Sequence, residues 1–225
     1  MSATSRSKEL WGPNSLELKV LKGKGIDIGP SSDPVFPNVQ MFDKENGDAN
    51  EITKYVHDQF DYVYSSHCLE HMHDPKKALL DWWKLVKPGG YLFFTVPDED
   101  LYEQGVFPSR FNPDHKATFT LSKTESWSPC SINVLDLGES LPGGEIIRLA
   151  LQDYNYDRNL MTWGPRCKSN FIIKALSKNY YKIRKRLKIR ILLLEKIFLI
   201  YEAFDQTLEN NALAQIQCIV KKTSI

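Results

Sequence analysis

Through its first half the chain alternates short β-type apolar runs with helix-type segments, and this alternation does most to limit what it can fold into. Strands that alternate with helices pair in parallel and are covered by helices on both faces. Gly25-Ile26-Asp27-Ile28-Gly29 reads as a buried strand entering a turn, and Val39-Gln40-Met41-Phe42 as a second strand ending at Asp43. A short helix over 48–60, capped by Asp48 or Asn50, precedes a strand at Phe60-Asp61-Tyr62-Val63-Tyr64 that ends at Ser65-Ser66. Asp74-Pro75 has the cap-then-proline order of a helix start, and Leu79, Trp82, Trp83 and Val86 supply one buried face. Lys87-Pro88-Gly89-Gly90 stops that helix, and the strand Tyr91-Leu92-Phe93-Phe94-Thr95-Val96 follows. Glu145 to Tyr154 and Ala214 to Lys221 read as a last pair of strands. The fold class is therefore α/β, a Rossmann-like, doubly wound, mostly parallel sheet.

With 225 residues and 42% hydrophobic content, one domain with an appendage is expected. The net charge of +1 gives no overall field that calls for nucleic acid, and no nucleic-acid partner is expected. The cysteines Cys68, Cys130, Cys167 and Cys218 are scattered, without a CxxC pair, which suits a reducing, cytoplasmic setting. Residues 1–11 lack the apolar run of a signal peptide, and the most apolar stretch, 189–204, is interrupted by charges and too short to span a membrane.

The turn at Asp27-Ile28-Gly29-Pro30 carries the first chemical signal. A glycine just past a buried strand lets a ligand approach the backbone without a Cβ in the way. A pyrophosphate cradle needs free backbone N–H groups, which Pro30 lacks, and Asp27 repels phosphate, so the turn suits a ligand with an ammonium group. Asp43, at the end of the second strand, is positioned to accept hydrogen bonds from a ribose diol, and Asp48 from an adenine amino group. Each aspartate also serves as a turn former or a cap.

GKGIDIG, MFD, GDA, FDYVYSSHCLEHMHDP and LVKPGGYLFFTVP occur in this order over residues 23–97. In that order they resemble the class I methyltransferases that use S-adenosylmethionine (SAM), in particular a small branch with LEH and KPGG signatures. The resemblance implies SAM as cofactor, with Asp27 and Gly29 at its methionine end, Asp43 on the ribose and Asp48 facing the adenine. Pro30, Ala49, Ser65 and Ser66 belong to the same cofactor-binding set. Two departures stand out: Pro30-Ser31 replaces the usual second glycine, and Gly47-Asp48-Ala49 follows the second strand with little room for another, so an abbreviated sheet edge is expected. Domain bounds follow: 1–22 an N-terminal extension, 23–160 with 205–225 the methyltransferase domain, and 161–204 a basic helical insertion.

A hydroxyl acceptor must lose its proton, and histidine suits that task near neutral pH. His115, in Phe111-Asn112-Pro113-Asp114-His115, ranks first as the catalytic base and His67 second; each also reads as a surface or packing histidine, and His71 as structural. Small members of this branch with a PDED-like loop and an NPDH-like segment resemble enzymes of bacterial surface-polysaccharide pathways, capsule or lipopolysaccharide. That implies O-methylation of a sugar, nucleotide-linked or in a growing glycan, with Tyr102, Phe107, Phe111, Phe119 and Trp127 available to stack on sugar faces or to fill the core. His67-Cys68-Leu69-Glu70-His71 also matches H-x-x-E-H, the inverted zinc-peptidase pattern, which read literally predicts a zinc hydrolase. Because the motif begins at a strand end, no metal is expected.

Leu176, Tyr180, Ile183, Leu187, Ile191, Leu194, Phe198 and Tyr201 recur at helical spacing and predict one long amphipathic helix. Lys178, Lys182, Arg184, Lys185, Arg186, Lys188 and Arg190 make its first half basic with no acid between them. Such a helix suits peripheral membrane contact or a protein partner's helix, with nucleic acid as a third option, and the alternative to an enzyme is a non-catalytic SAM-fold subunit that binds through it; a homo-oligomer is a separate option. A solvated helix face is the plainer reading.

Overall fold

The computed structural model describes residues 2–165, 171–187, 191–201, 203–209 and 211–223. Six strands, β1 (Gly25–Ile28), β2 (Gln40–Phe42), β3 (Phe60–Ser66), β4 (Val86–Pro97), β7 (Gly144–Gln152) and β8 (Gln215–Lys222), form one sheet in the order β2-β1-β3-β4-β8-β7. The first four pair in parallel, and β8 runs antiparallel to both β4 and β7. Strand order reverses between β1 and β3, so their C-terminal ends open a crevice at the point where α/β sheets bind ligands. β5 (Thr118–Thr120) and β6 (Ser131–Asn133) pair separately. This is the mixed α/β, Rossmann-like architecture expected, with β2 at the edge.

Alternation along the strands sorts two cores. Val63, Leu92 and Phe94 face helix α3 (Pro75–Lys84), whose Leu79 and Trp82 are wholly buried. Tyr62, Tyr64 and Phe93 face the opposite side, where Val20 and Leu21 pack together with Trp11. Two short helices that periodicity did not reveal, α1 (Ala3–Lys8) and α2 (Leu16–Val20), cover that side, capped by Ser2 and Ser15. α3 starts as expected, with Asp74 accepting from the Lys77 N–H. The helix expected over 48–60 is a 3-10 turn, Ala49–Lys54, capped by Asp48. A further short helix, α4 (Val134–Glu139), packs between β6 and β7.

The one long helix predicted near the C-terminus is corrected to two, α5 (Phe171–Leu187) and α6 (Leu192–Tyr201), followed by a single turn, α7 (Gln206–Glu209). Lys188 and Arg190 lie outside the described residues. Folding back brings Tyr181, Phe198 and Phe204 into a small core of their own, and Arg184 of the basic run forms an ion pair with the buried Glu195. No helix among the described residues is long and apolar enough to cross a membrane.

Candidate active site

The C-terminal ends of β1 and β2 line a cleft of about 1070 Å³, whose walls include Gly29, Ser31, Asp43, Asp48, Ala49, His67, Cys68 and His71. Gly29 adopts φ +73°, and a Cβ there would lie 2.6 Å from Cys68 Sγ, so backbone and cleft both require glycine. Its N–H donates to the Phe42 carbonyl at 2.8 Å, tying the turn to β2. Pro30 is buried, and the Ser31 N–H beyond it donates to Asp43 Oδ2 at 2.7 Å. Asp43 Oδ1 accepts from the Lys44 N–H at 2.8 Å. These two bonds orient the carboxylate and leave lone pairs free for a diol.

Asp48 caps the 3-10 turn through Oδ1, which accepts from the Asn50 backbone N–H (2.9 Å) and side-chain amide (2.8 Å); these bonds hold its pKa below the usual value. Asp27 sits behind the cleft wall, 1% exposed. Its Oδ2 accepts from the Val35 N–H at 2.7 Å, while Oδ1 has no hydrogen-bond partner. Burial pushes its pKa up to about 7 against the pull of the Val35 bond. Ser65 and Ser66 are turned toward the strands: Ser65 Oγ donates to the Ile28 carbonyl at 2.9 Å, and Ser66 Oγ accepts from Thr95 Oγ1 at 3.0 Å.

At the inner end of the cleft three imidazoles surround Glu70, which is fully buried. His67, held at φ +55°, has Nε2 2.8 Å from Gln215 Oε1. Gln215 donates through its amide nitrogen to Ser7 and Gln152, so its oxygen is the acceptor and His67 Nε2 carries the proton. His67 Nδ1 then lies 3.2 Å from Glu70 Oε1. His71 stands on the cleft wall with Nδ1 3.1 Å from Asp114 Oδ2. His115 is 4% exposed and lies behind that wall, with Nδ1 2.6 Å from Glu103 Oε1 and its ring against those of His71 and Tyr102. Burial opposes charge on His115, but the bond to Glu103 and the nearby Glu70 outweigh it and raise its pKa. Burial likewise opposes charge on Glu70, yet His67, His115 and His71 together bring its pKa below the usual value.

Both predicted histidines thus meet at one place; Glu70 and His71, singled out in the sequence by the H-x-x-E-H pattern, join them, and the structure adds Glu103, Asp114 and Gln215, which motif reading did not assign to the site. Asp114 adjoins His115 in sequence and was findable; Gln215 arrives from the last strand without a local signal. Of the aromatic residues offered for sugar stacking, Phe119 is fully buried in the core, whereas Tyr102 and Phe111 sit edge to face beside His115. Trp127 packs on Trp163.

A mostly parallel sheet with its switch point beside β1, a glycine turn, an unpaired acidic oxygen behind that turn and an oriented aspartate at the next strand end together define a class I SAM-dependent methyltransferase. The chain belongs to the methyltransferase domain family, whose match runs over residues 14–157. No curated protein matches it in sequence. Among solved structures, a Bacillus halodurans protein described as a methyltransferase shares 14% identity and a TM-score of 0.50, with 93% of this chain and 97% of that one covered. A SAM-dependent methyltransferase from Archaeoglobus fulgidus shares 16% identity and a TM-score of 0.48, over 97% and 92% of the two chains. The residues present fit SAM: Gly29 and Asp43 both line the cleft, a Cβ at Gly29 would collide with Cys68 Sγ, and the Asp43 carboxylate keeps lone pairs free toward a diol.

Proposed function

We propose that this methyltransferase acts on a hydroxyl of a sugar, either nucleotide-linked or within a surface glycan. The observation that carries the reading is the imidazole and carboxylate cluster at the inner end of the cleft, because methyl transfer to oxygen needs a group that takes the acceptor proton. Bound SAM supplies a methyl group on a sulfonium, ready for in-line displacement. The protein's own residues then orient and exclude water: Gly29 gives the cofactor room, Asp43 holds the ribose, Asp48 and Ala49 border the adenine, and Asp27 balances the amino group. Proton handling falls to His67 at the wall, with the buried Glu70 and His115 completing the cluster behind it. Tyr102 and Phe111 offer ring faces for a sugar.

The test is incubation with methyl-¹³C-labelled SAM and a panel of nucleotide sugars and lipid-linked saccharides, followed by NMR of the products. A labelled O-methyl signal on a saccharide supports the reading. Label found only on nitrogen acceptors, or none transferred to a broad panel by protein that binds the cofactor, contradicts it; the latter result favours a non-catalytic SAM-fold subunit.

A peripheral attachment accompanies this reading. Ile172, Leu176, Ile183 and Leu187 of α5 are each more than half exposed, beside Lys178, Lys182 and Arg186. Apolar anchors next to cations suit an anionic lipid surface. Co-sedimentation with phosphatidylglycerol vesicles, weakened by salt and by Leu176→Glu, is the expected result; equal sedimentation with neutral vesicles would argue against it.

A further inference from the structure

The H-x-x-E-H pattern is not assembled in the folded chain as its spacing implies. Leu69–His71 forms a single 3-10 turn, and His67 is committed through Nε2 to Gln215. The turn instead presents Glu70 and His71 to a histidine brought from the loop before β5. One ligand atom each from Glu70, His71 and His115 lies within 4.8 Å of the other two.

Three observations give this group the character of a metal site. First, Glu70 is 0% exposed and neither carboxylate oxygen makes a hydrogen bond; His67 Nδ1, 3.2 Å from Oε1, is not in bonding geometry. A carboxylate withdrawn from water with open lone pairs calls for a cation. Second, His115 is backed by a buried carboxylate, with Glu103 Oε1 2.6 Å from its Nδ1, whereas Asp114, 3.1 Å from His71 Nδ1, is not in bonding geometry. An outer carboxylate on one ring nitrogen orients the imidazole and presents the other nitrogen to an ion. Third, the backbone braces the set, since the Lys116 N–H donates to the Glu70 carbonyl at 2.7 Å and so locks the loop of His115 to the turn of Glu70.

We propose that Glu70, His71 and His115 bind one divalent first-row transition ion at the inner end of the cofactor cleft. Two imidazoles and one carboxylate suit manganese, iron, cobalt or zinc better than the all-oxygen ions magnesium and calcium. Three protein donors leave positions open for water or an acceptor oxygen, and His71, on the cleft wall, marks the route of entry. His67, outside the ligand set, stays available to handle a proton. Binding of the ion does not depend on which acceptor is methylated; only its place in methyl transfer rests on the O-methylation reading.

The experiment is equilibrium dialysis of chelator-stripped full-length protein against Co²⁺, Zn²⁺ or Mn²⁺, with bound metal measured by mass spectrometry and the Co²⁺ form by its visible spectrum. The wild type is expected to retain about one ion per chain. Glu70→Gln and His115→Ala should lose it while still binding S-adenosylhomocysteine, and the milder Glu103→Gln should weaken affinity by about 10- to 100-fold through the outer shell. No retained metal in wild-type protein that binds S-adenosylhomocysteine would overturn the proposal. So would retention unchanged in Glu70→Gln, His115→Ala and Glu103→Gln.

Discussion

Replacing Asp27 with asparagine separates what this buried carboxyl costs the fold from what it gives the cofactor. Its pKa is pushed up to about 7 by burial, from an ordinary 3.8. Between those two values the folded protein binds more protons at this site than the unfolded chain, so stability falls as pH rises through the window. At about 1.4 kcal/mol per pKa unit, the ionised carboxylate costs the ligand-free protein about 4 kcal/mol at pH 8. Asparagine does not ionise, and its oxygen can still accept from the Val35 N–H. Its amide nitrogen falls where Oδ1 now has no partner, at a cost of about 1–2 kcal/mol. Urea unfolding at pH 8 should therefore find Asp27→Asn more stable than wild type by about 2 kcal/mol, and at pH 5 the two should be nearly equal. S-adenosylhomocysteine affinity should fall at least about tenfold in the same variant, because the amino group loses a charged partner. A variant no more stable than wild type at pH 8, or one whose advantage is the same at pH 5, would refute the reasoning.

Other perturbations follow from the same geometry. Gly29→Ala places a methyl group 2.6 Å from Cys68 Sγ on a left-handed backbone; a melting-temperature drop equivalent to at least about 1 kcal/mol and a large loss of S-adenosylhomocysteine affinity are expected from thermal scans with and without ligand. Trp82→Ala empties a wholly buried site and breaks the 2.9 Å bond from Nε1 to the Ala49 carbonyl under the cleft, at about 3–5 kcal/mol by chemical denaturation. His67→Ala should leave S-adenosylhomocysteine affinity unchanged and lower kcat by about 10²-fold or more; a loss confined to cofactor affinity would move His67 out of proton handling.

Much of the sheet was legible because its strands are short, apolar and bounded by glycine, proline or aspartate. Asp48 and Asp74 announced their caps, and the tight spacing of Met41-Phe42-Asp43 and Gly47-Asp48-Ala49 announced the shortened edge. The N-terminal helices were not legible: Ala3–Lys8 and Leu16–Val20 are too short for a periodic signal, and their burial depends on Trp11 reaching Tyr64 and Phe93. The stripe from Leu176 to Tyr201 has the right period, but periodicity carries no information about a reversal of direction. Within the site, Asp43 and Gly29 were visible from their places at strand ends. Glu70 was visible only within the H-x-x-E-H pattern, and Glu103 and Gln215 not at all, since each is buried beside a histidine brought from another part of the chain.

The central claim is that the cleft at the ends of β1 and β2 holds the cofactor through Asp43. Calorimetric titration of wild-type protein and Asp43→Ala with S-adenosylhomocysteine tests it most directly. Micromolar, one-to-one binding by the wild type, weakened at least about tenfold in the variant, is the predicted result. Equal affinity in the two proteins would contradict the ribose assignment, and no binding by the wild type would mean that Pro30-Ser31 has closed the site.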